Sequence, residues 1–284
     1  MNDKRKYFFV GTRFNVLEKM FDLHLDIVCY AVIKDSFAHK GLLNKNIIPT
    51  IIENKKELLE LIKNTEFDVL VSNGCPYILP ISELRKSNEL YINIHPSLLP
   101  DLRGMNPING SILFNRPQGT TCHYMDDGID TGKIIAQTMV TKESKLPLDL
   151  LYQLSFMSEG DSFLKAYERN FEPLGIKQDT EGTIYYSRKL EDQIITNEDN
   201  LEKIIRKVRA FQIEGQYARF IKGDNTYFVK DIFVFDNEYL DNHVFEENKI
   251  IKIFNNNIIT KKENKYLLWR LDNASNLNVG ETLM

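Results

Sequence analysis

The first half of the chain alternates short runs of β-branched and aromatic residues with stretches of helical spacing. Tyr7 to Val10 is an unbroken apolar run, Phe14 to Met20 has a helical period, and Asp26 to Ile33 returns to a strand pattern. Lys55 to Lys63 reads as an amphipathic helix, Asp68 to Val71 as a buried strand, and Glu89 to Ile94 as a strand ending at His95. Strands alternating with helices predict a doubly wound sheet. The fold class expected is therefore α/β, with a Rossmann-like, mostly parallel sheet. Farther on, a strand through Thr120 to His123 runs into an acidic, glycine-punctuated loop, and a second strand follows from Lys133 to Val140. Leu148 to Tyr167 and Asn200 to Phe211 carry helical spacing. From about Asp224 to Met284, the runs Tyr227 to Phe235 and Lys249 to Phe254 alternate with Asn- and Asp-rich turns, which predicts a smaller β-rich C-terminal accessory region. The 284 residues suit one α/β unit at 1–180 and an accessory domain at 181–284.

Composition narrows the function classes. With 43% hydrophobic and 27% charged residues the chain can build a packed core. A net charge of -4 offers no footprint for a polyanion, so nucleic acid is not an expected partner. No apolar run approaches the roughly 20 residues of a membrane span, and the start lacks a signal-peptide core, so a cytoplasmic location away from the membrane is expected. Cys29, Cys75 and Cys122 are widely spaced and read as reduced, mostly buried thiols, without metal-ligand spacing. Gly11-Thr12-Arg13-Phe14-Asn15 follows the first strand but matches neither Gly-x-Gly-x-x-Gly nor a phosphate loop. It reads as a strand-to-helix turn, with Arg13 kept as a phosphate-contact candidate.

In open α/β sheets ligands bind beyond the carboxyl ends of the strands, which directs attention to Asn73, Gly74, Asn93 and His95. On a strand Asn93 and His95 point to one face, and Ile92 and Ile94 to the other. The motif Asn93-Ile94-His95-Pro96-Ser97-Leu98-Leu99-Pro100 precedes Arg103-Gly104, and the later Met125-Asp126-Asp127-Gly128-Ile129-Asp130-Thr131-Gly132 loop supplies carboxylates.

These two motifs, in this order, resemble the folate-dependent formyltransferase family, over about the first two-thirds of the chain. The resemblance implies formyl transfer from N10-formyltetrahydrofolate to an amine, with Asn93, His95 and Asp130 as catalytic residues and no metal. Asn93 would donate to the oxyanion of a tetrahedral intermediate, His95 would handle protons, and Asp130 would orient His95. It also implies a folate-binding segment at Asn73, Gly74, Cys75, Pro76, Tyr77 and Ile78, joined by Asp126 and Asp127, with Cys75 not a nucleophile. His123 reads as structural.

The stretch Gly182-Thr183-Ile184-Tyr185-Tyr186-Ser187-Arg188-Lys189-Leu190, followed by Asn200 to Phe211, resembles nucleotide-sugar N-formyltransferases. The expected substrate contacts are Arg13, Ser97, Arg103, Gly104, Tyr186, Arg188, Lys189, Arg209 and Phe211. The acceptor implied is a nucleotide-linked amino-dideoxy sugar, of which dTDP-4-amino-4,6-dideoxyglucose for O-antigen synthesis is favoured, with a homodimer expected. The alternatives are a dTDP-3-amino-3,6-dideoxyhexose, methionyl-tRNA, water, or a catalytically silent binding relative.

Overall fold

A computed structural model of the chain describes residues 3–143 and 146–284. In chain order the elements are β1 (Lys6–Gly11), α1 (Asn15–Asp22), β2 (Asp26–Val32), α2 (Phe37–Asn44), β3 (Thr50–Ile51), α3 (Lys55–Asn64) and β4 (Val69–Asn73). They continue as α4 (Ile81–Leu84), β5 (Leu90–His95), α5 (Pro107–Leu113), β6 (Gln118–Tyr124), β7 (Ile134–Thr141) and α6 (Leu148–Glu168). The remainder is α7 (Leu201–Ala210), β8 (Ala218–Lys222), β9 (Asn225–Phe235), α8 (Glu238–Asp241), β10 (Ile250–Phe254), β11 (Asn257–Lys262) and β12 (Lys265–Leu271).

Two compact units divide these elements. The first comprises Met1–Pro107, Pro117–Lys142 and Tyr152–Tyr186; the second comprises Ile108–Arg116, Glu143–Leu151 and Ser187–Met284. The division falls after Tyr186 instead of residue 180, because 181–186 is fastened to the first unit: the Ile184 N–H donates to Asp101 Oδ1 at 2.8 Å and the Tyr186 N–H to Arg103 O at 2.9 Å. Residues 108–116 group with the second unit, where Asn109 Nδ2 donates to Ala210 O at 2.7 Å.

The first unit holds a seven-stranded sheet in the order β3-β2-β1-β4-β5-β6-β7. Pairing is parallel from β3 to β5, then antiparallel for β6 and β7. β1 explains why its sequence is apolar throughout. Tyr7 and Phe9 enter one core cluster with Leu17, Met20, Ile92 and Phe163, while Phe8 and Val10 enter another with Leu58, Leu70 and Tyr91. Both faces of the sheet are covered, as a parallel sheet requires. Strand order reverses between β1 and β4, and Gly11 pairs with Asn73 at their carboxyl ends. This reversal is where an open sheet leaves a crevice for ligands.

The sequence pattern assigns no element to α2, because Gly41 interrupts its short apolar spacing. Its reason is packing: a Cβ at Gly41 would lie 2.3 Å from the Phe14 ring. The second unit carries a five-stranded antiparallel sheet, β10-β11-β12-β9-β8, matching the β-rich region expected there. Phe220 stacks on Tyr227 at 5.0 Å, and the buried Trp269 indole donates to Thr260 Oγ1 at 2.9 Å. α7 begins where Asn200 accepts from the Lys203 N–H, a standard N-cap.

Candidate functional site

The ends of β5 and β6 and the loop after β6 build one polar cluster in the first unit. β5 and β6 pair in a register that sets Asn93 opposite His123 and His95 opposite Thr121. Side chains opposite each other on one face of a sheet lie within contact distance, and Asn93 Nδ2 is 3.2 Å from His123 Nε2. Asp130, in a left-handed backbone conformation (φ 54°), turns its carboxylate into the same space. Its Oδ2 lies 3.4 Å from His95 Nδ1; its Oδ1 lies 3.4 Å from Asn93 Nδ2 and 3.5 Å from His123 Nε2. Asn93, His95 and Asp130, expected to act together, are thus together. His123, read as structural from sequence, is a fourth member.

Backbone carbonyls settle which ring nitrogens face the cluster. Leu102 O, 2.9 Å from His95 Nε2, can only accept, so Nε2 carries a proton and Nδ1 is the nitrogen shared with Asp130. Tyr124 O, 2.7 Å from His123 Nδ1, sets that ring in the same way and turns Nε2 toward Asn93 and Asp130. As a lone pair this Nε2 accepts the Asn93 amide proton; when protonated it donates to Asp130.

Burial lowers the His95 pKa below its ordinary 6.5, and the facing Asp130 charge only partly restores it. For Asp130 burial alone would raise the carboxyl, but His95, His123 and the Gly104 N–H together hold it well below the usual carboxylate range. The Gly104 N–H donates to Asp130 Oδ2 at 3.0 Å. Gly104 has φ 100°, and a Cβ there would lie 2.5 Å from Tyr186 O, so no larger residue fits without moving the strap behind it.

That strap includes a residue the sequence did not flag. Gln178 Nε2 donates to Asp130 O at 3.1 Å and to Gly132 O at 2.5 Å, while its side-chain oxygen receives Arg103 at 2.8 Å. Arg103 is buried in this contact and also reaches Gln178 O at 3.3 Å, so it holds the loop carrying Asp130. Nothing in the local sequence around Gln178 signals this; only the tertiary approach of residues 178–186 does. Ser97 is fully buried and donates to Asp101 O at 2.7 Å, fixing the exit loop of β5.

The other candidates separate. Asp126 accepts from the Gly128 N–H and from Thr131 Oγ1 within its own turn, and Asp127 accepts from the Ser82 N–H at 3.0 Å. After β4, the Cys75 thiol donates to Tyr77 O at 3.6 Å, and burial pushes its pKa up to about 11, so it is no ready nucleophile. Pro76 and Tyr77 pack beside Val10, Ile33 and Leu58, while Ile78 is exposed. Gly74 lies between, its carbonyl accepting from Thr12 Oγ1 at 2.9 Å. Cys29 and Cys122 are buried, and all three thiols are free.

Arg13 pairs with Glu159 of α6 and lies 4.6 Å over the Phe156 ring. Glu159 and Asn73 are fully buried. The Asn73 amide lies beside Glu159, but its Nδ2 and Oδ1, like Glu159 Oε2, make no hydrogen bond of good geometry.

Of the aromatic residues expected to contact substrate, Tyr186 is 4% exposed in the first unit and Phe211 is fully buried in the second. Neither presents an open ring face, which corrects that expectation: both rings fill cores. Arg188 and Lys189 are exposed, and Arg209 is half-buried.

A doubly wound sheet that gathers an amide, an imidazole and a carboxylate at its carboxyl end defines an α/β domain suited to group transfer. Residues 34–153 match the family described as formyl transferase. The chain is 32% identical over 172 residues to a methionyl-tRNA formyltransferase of Wolbachia sp. subsp. Drosophila simulans, a match covering 58% of this chain and 57% of that protein. It is 33% identical over 171 residues to the methionyl-tRNA formyltransferase of Acidiphilium cryptum, covering 56% of each. The chain thus spans a little over half the length of these relatives.

Among solved structures, WlaRD, a sugar 3N-formyl transferase determined with dTDP and 5-N-formyl-THF, shares 24% identity with a TM-score of 0.72, covering 95% of this chain and 98% of that one. A 4-N formyltransferase from Francisella tularensis shares 25% identity with a TM-score of 0.64, covering 79% and 96%. No helix among the described residues is long and apolar enough to cross a membrane.

Proposed function

We propose that this protein transfers the formyl group of N10-formyltetrahydrofolate to the amine of a nucleotide-linked amino-dideoxy sugar. The observation that carries the reading is the convergence of Asn93, His95 and Asp130 at the end of β5, with contacts of 3.4 Å from Asp130 to each of the other two. In the reaction the acceptor nitrogen forms the new bond to the formyl carbon, the bond from that carbon to N10 breaks, and one proton passes from the amine to N10. Asn93, partly exposed, offers an amide N–H to the developing oxyanion. His95 Nδ1, its Nε2 committed to Leu102 O, is the site through which a proton can move, and Asp130 stabilises the charged ring.

The folate segment proposed is Asn73 to Ile78 after β4, with Asp126 and Asp127 near it. The buried Asn73 amide, which makes no hydrogen bond of good geometry beside Glu159, fits a polar partner such as a pterin, because buried amide groups are ordinarily hydrogen-bonded. The sugar reading is favoured over tRNA because likeness to sugar N-formyltransferases extends over 95% of this chain, whereas the methionyl-tRNA enzymes match 58% of it. The net charge of -4 also offers little to a polyanion. The acceptor proposed is dTDP-4-amino-4,6-dideoxyglucose, formylated in the cytoplasm by a homodimer for surface polysaccharide; the 3-amino isomer is the nearest alternative.

The test is formylation of dTDP-4-amino, dTDP-3-amino and GDP-4-amino sugars by mass spectrometry, with formyl-methionyl-tRNA formation measured in parallel. One strongly favoured sugar supports the reading. Formylation of methionyl-tRNA with none of the sugars would replace it.

A further inference from the structure

We infer that the groove beside Arg13, walled by α1, α2 and α6 of the first unit, receives the nucleoside diphosphate end of the acceptor. This rests on the sugar-nucleotide reading above and joins Arg13, a phosphate-contact candidate from the sequence, to Phe37 and Lys40, which the sequence patterns did not single out. The groove encloses about 270 Å³ and is lined by Arg13, Phe14, Asn15, Phe37, Lys40, Gly41, Asn44, Gln153 and Phe156. That volume falls just under the usual range for ligand pockets, roughly 300–1,000 Å³, so it suits one end of a sugar nucleotide more than the whole.

Its chemistry selects the occupant. Two cations and no carboxylate line it, in a chain whose net charge is -4. Arg13 is already paired with Glu159, but Lys40 has no carboxylate partner among the described residues, so one full positive charge faces the groove uncompensated. Phe37 is 67% exposed and contacts no other ring among the described residues. A single exposed phenylalanine is unremarkable. One at the lip of a cavity, with Phe156 lining the same space and three side-chain amides in the wall, makes an aromatic surface with hydrogen-bonding groups, which is what a base requires.

The groove also connects with the chemistry. The Arg13 charge is felt at His95, where it helps to lower that ring's pKa. Arg13 also follows the carboxyl end of β1, at the same edge of the sheet as the end of β5 that carries His95. The buried state of Tyr186 and Phe211 leaves them no face for a base, and Phe37 in the groove supplies an exposed one.

The experiment is calorimetric titration of dTDP, UDP and GDP into wild type, Phe37→Ala and Lys40→Ala, with circular dichroism confirming that each folds. Both substitutions are at the surface, so loss of fold is not the expected result. Weakening of the preferred nucleotide by about tenfold in each variant, the scale of about 1.4 kcal/mol, supports the inference. Unchanged affinity in both variants overturns it and leaves the sugar-nucleotide reading standing. If wild type binds none of the three, the sugar-nucleotide reading falls and the groove assignment falls with it. Turnover of an aminated sugar nucleotide by wild type tells those last two failures apart.

Discussion

Two carboxylates in the first unit, Asp130 and Glu159, are both withdrawn from water beside a cationic or ionisable partner, and their titrations move in opposite directions. Asp130 is held low because its oxygens collect the Gly104 N–H, the Asn93 amide and two imidazoles. Burial raises Glu159 despite its pairing with Arg13, and its second oxygen makes no hydrogen bond of good geometry. Burial is common to both; the number of donors aimed at the carboxylate decides the sign. The first arrangement is a preorganised anion ready to stabilise a charged ring, and the second is a buried ion pair that fixes Arg13.

Removing members of the Asp130 cluster should produce the largest effect. His95→Ala, Asn93→Ala and Asp130→Asn should each lower kcat by roughly 10²–10⁴, the range for losing a proton-transfer group or an oxyanion donor. Asparagine tolerates the left-handed backbone of Asp130, so the fold should survive in that variant. Steady-state kinetics on the preferred acceptor checks this, and losses under tenfold would place the chemistry elsewhere.

The second contrast is in stability. Arg13→Ala leaves the Glu159 carboxylate buried and alone, a loss of up to about 3 kcal/mol after allowing for the partly exposed arginine. Glu159→Gln, acting on a group already biased toward its neutral form, should cost about 1 kcal/mol or less. Urea denaturation of both variants measures the difference. Equal costs would mean that Arg13 does not compensate a buried charge on Glu159.

A smaller effect belongs to the strap. Gln178→Ala frees the backbone at Asp130 and Gly132 and should lower kcat about tenfold with little change in KM, since misplacing a catalytic group by about 1 Å costs up to 10²-fold. A change in KM alone would show that residue 178 meets substrate instead of positioning Asp130.

What the sequence made legible follows from how local each signal is. The apolar run at Tyr7 to Val10, the helical spacing from Asn200 and the Asn93/His95 spacing are written within a few residues, and each corresponds to an observed feature. Asp130 came from motif resemblance, because nothing in a turn of three aspartates distinguishes one that reaches a neighbouring strand. His123 and Gln178 lay beyond such reading: the first needs the β5–β6 register, and the second the return of residues 178–186. Tyr186 and Phe211 were misread because an aromatic residue in a basic, loop-rich context looks the same whether it fills a core or faces solvent.

The smallest expected effect is on proton affinity, and it tests the comparison directly. His95 should titrate below 6.5, because burial disfavours its charged form. Asp130 is the group that opposes this, so Asp130→Asn should move the midpoint lower still, as read by NMR of the imidazole. The stability consequences carry definite signs. The folded His95 is the weaker base, so the unfolded chain takes up its proton first, and stability is lost as pH falls through about 6.5. Asp130 has a folded pKa below its unfolded value, so its contribution is present above about 3.9 and is lost as pH falls further. The wild type should therefore weaken in two acid steps, and Asp130→Asn should lack the lower one. Glu159, with its pKa raised, acts oppositely: it binds its proton more readily folded than unfolded, so Glu159→Gln should remove a contribution that rises with acidity. If both carboxylate variants changed the acid limb in the same direction, donor count would not be what separates the two sites.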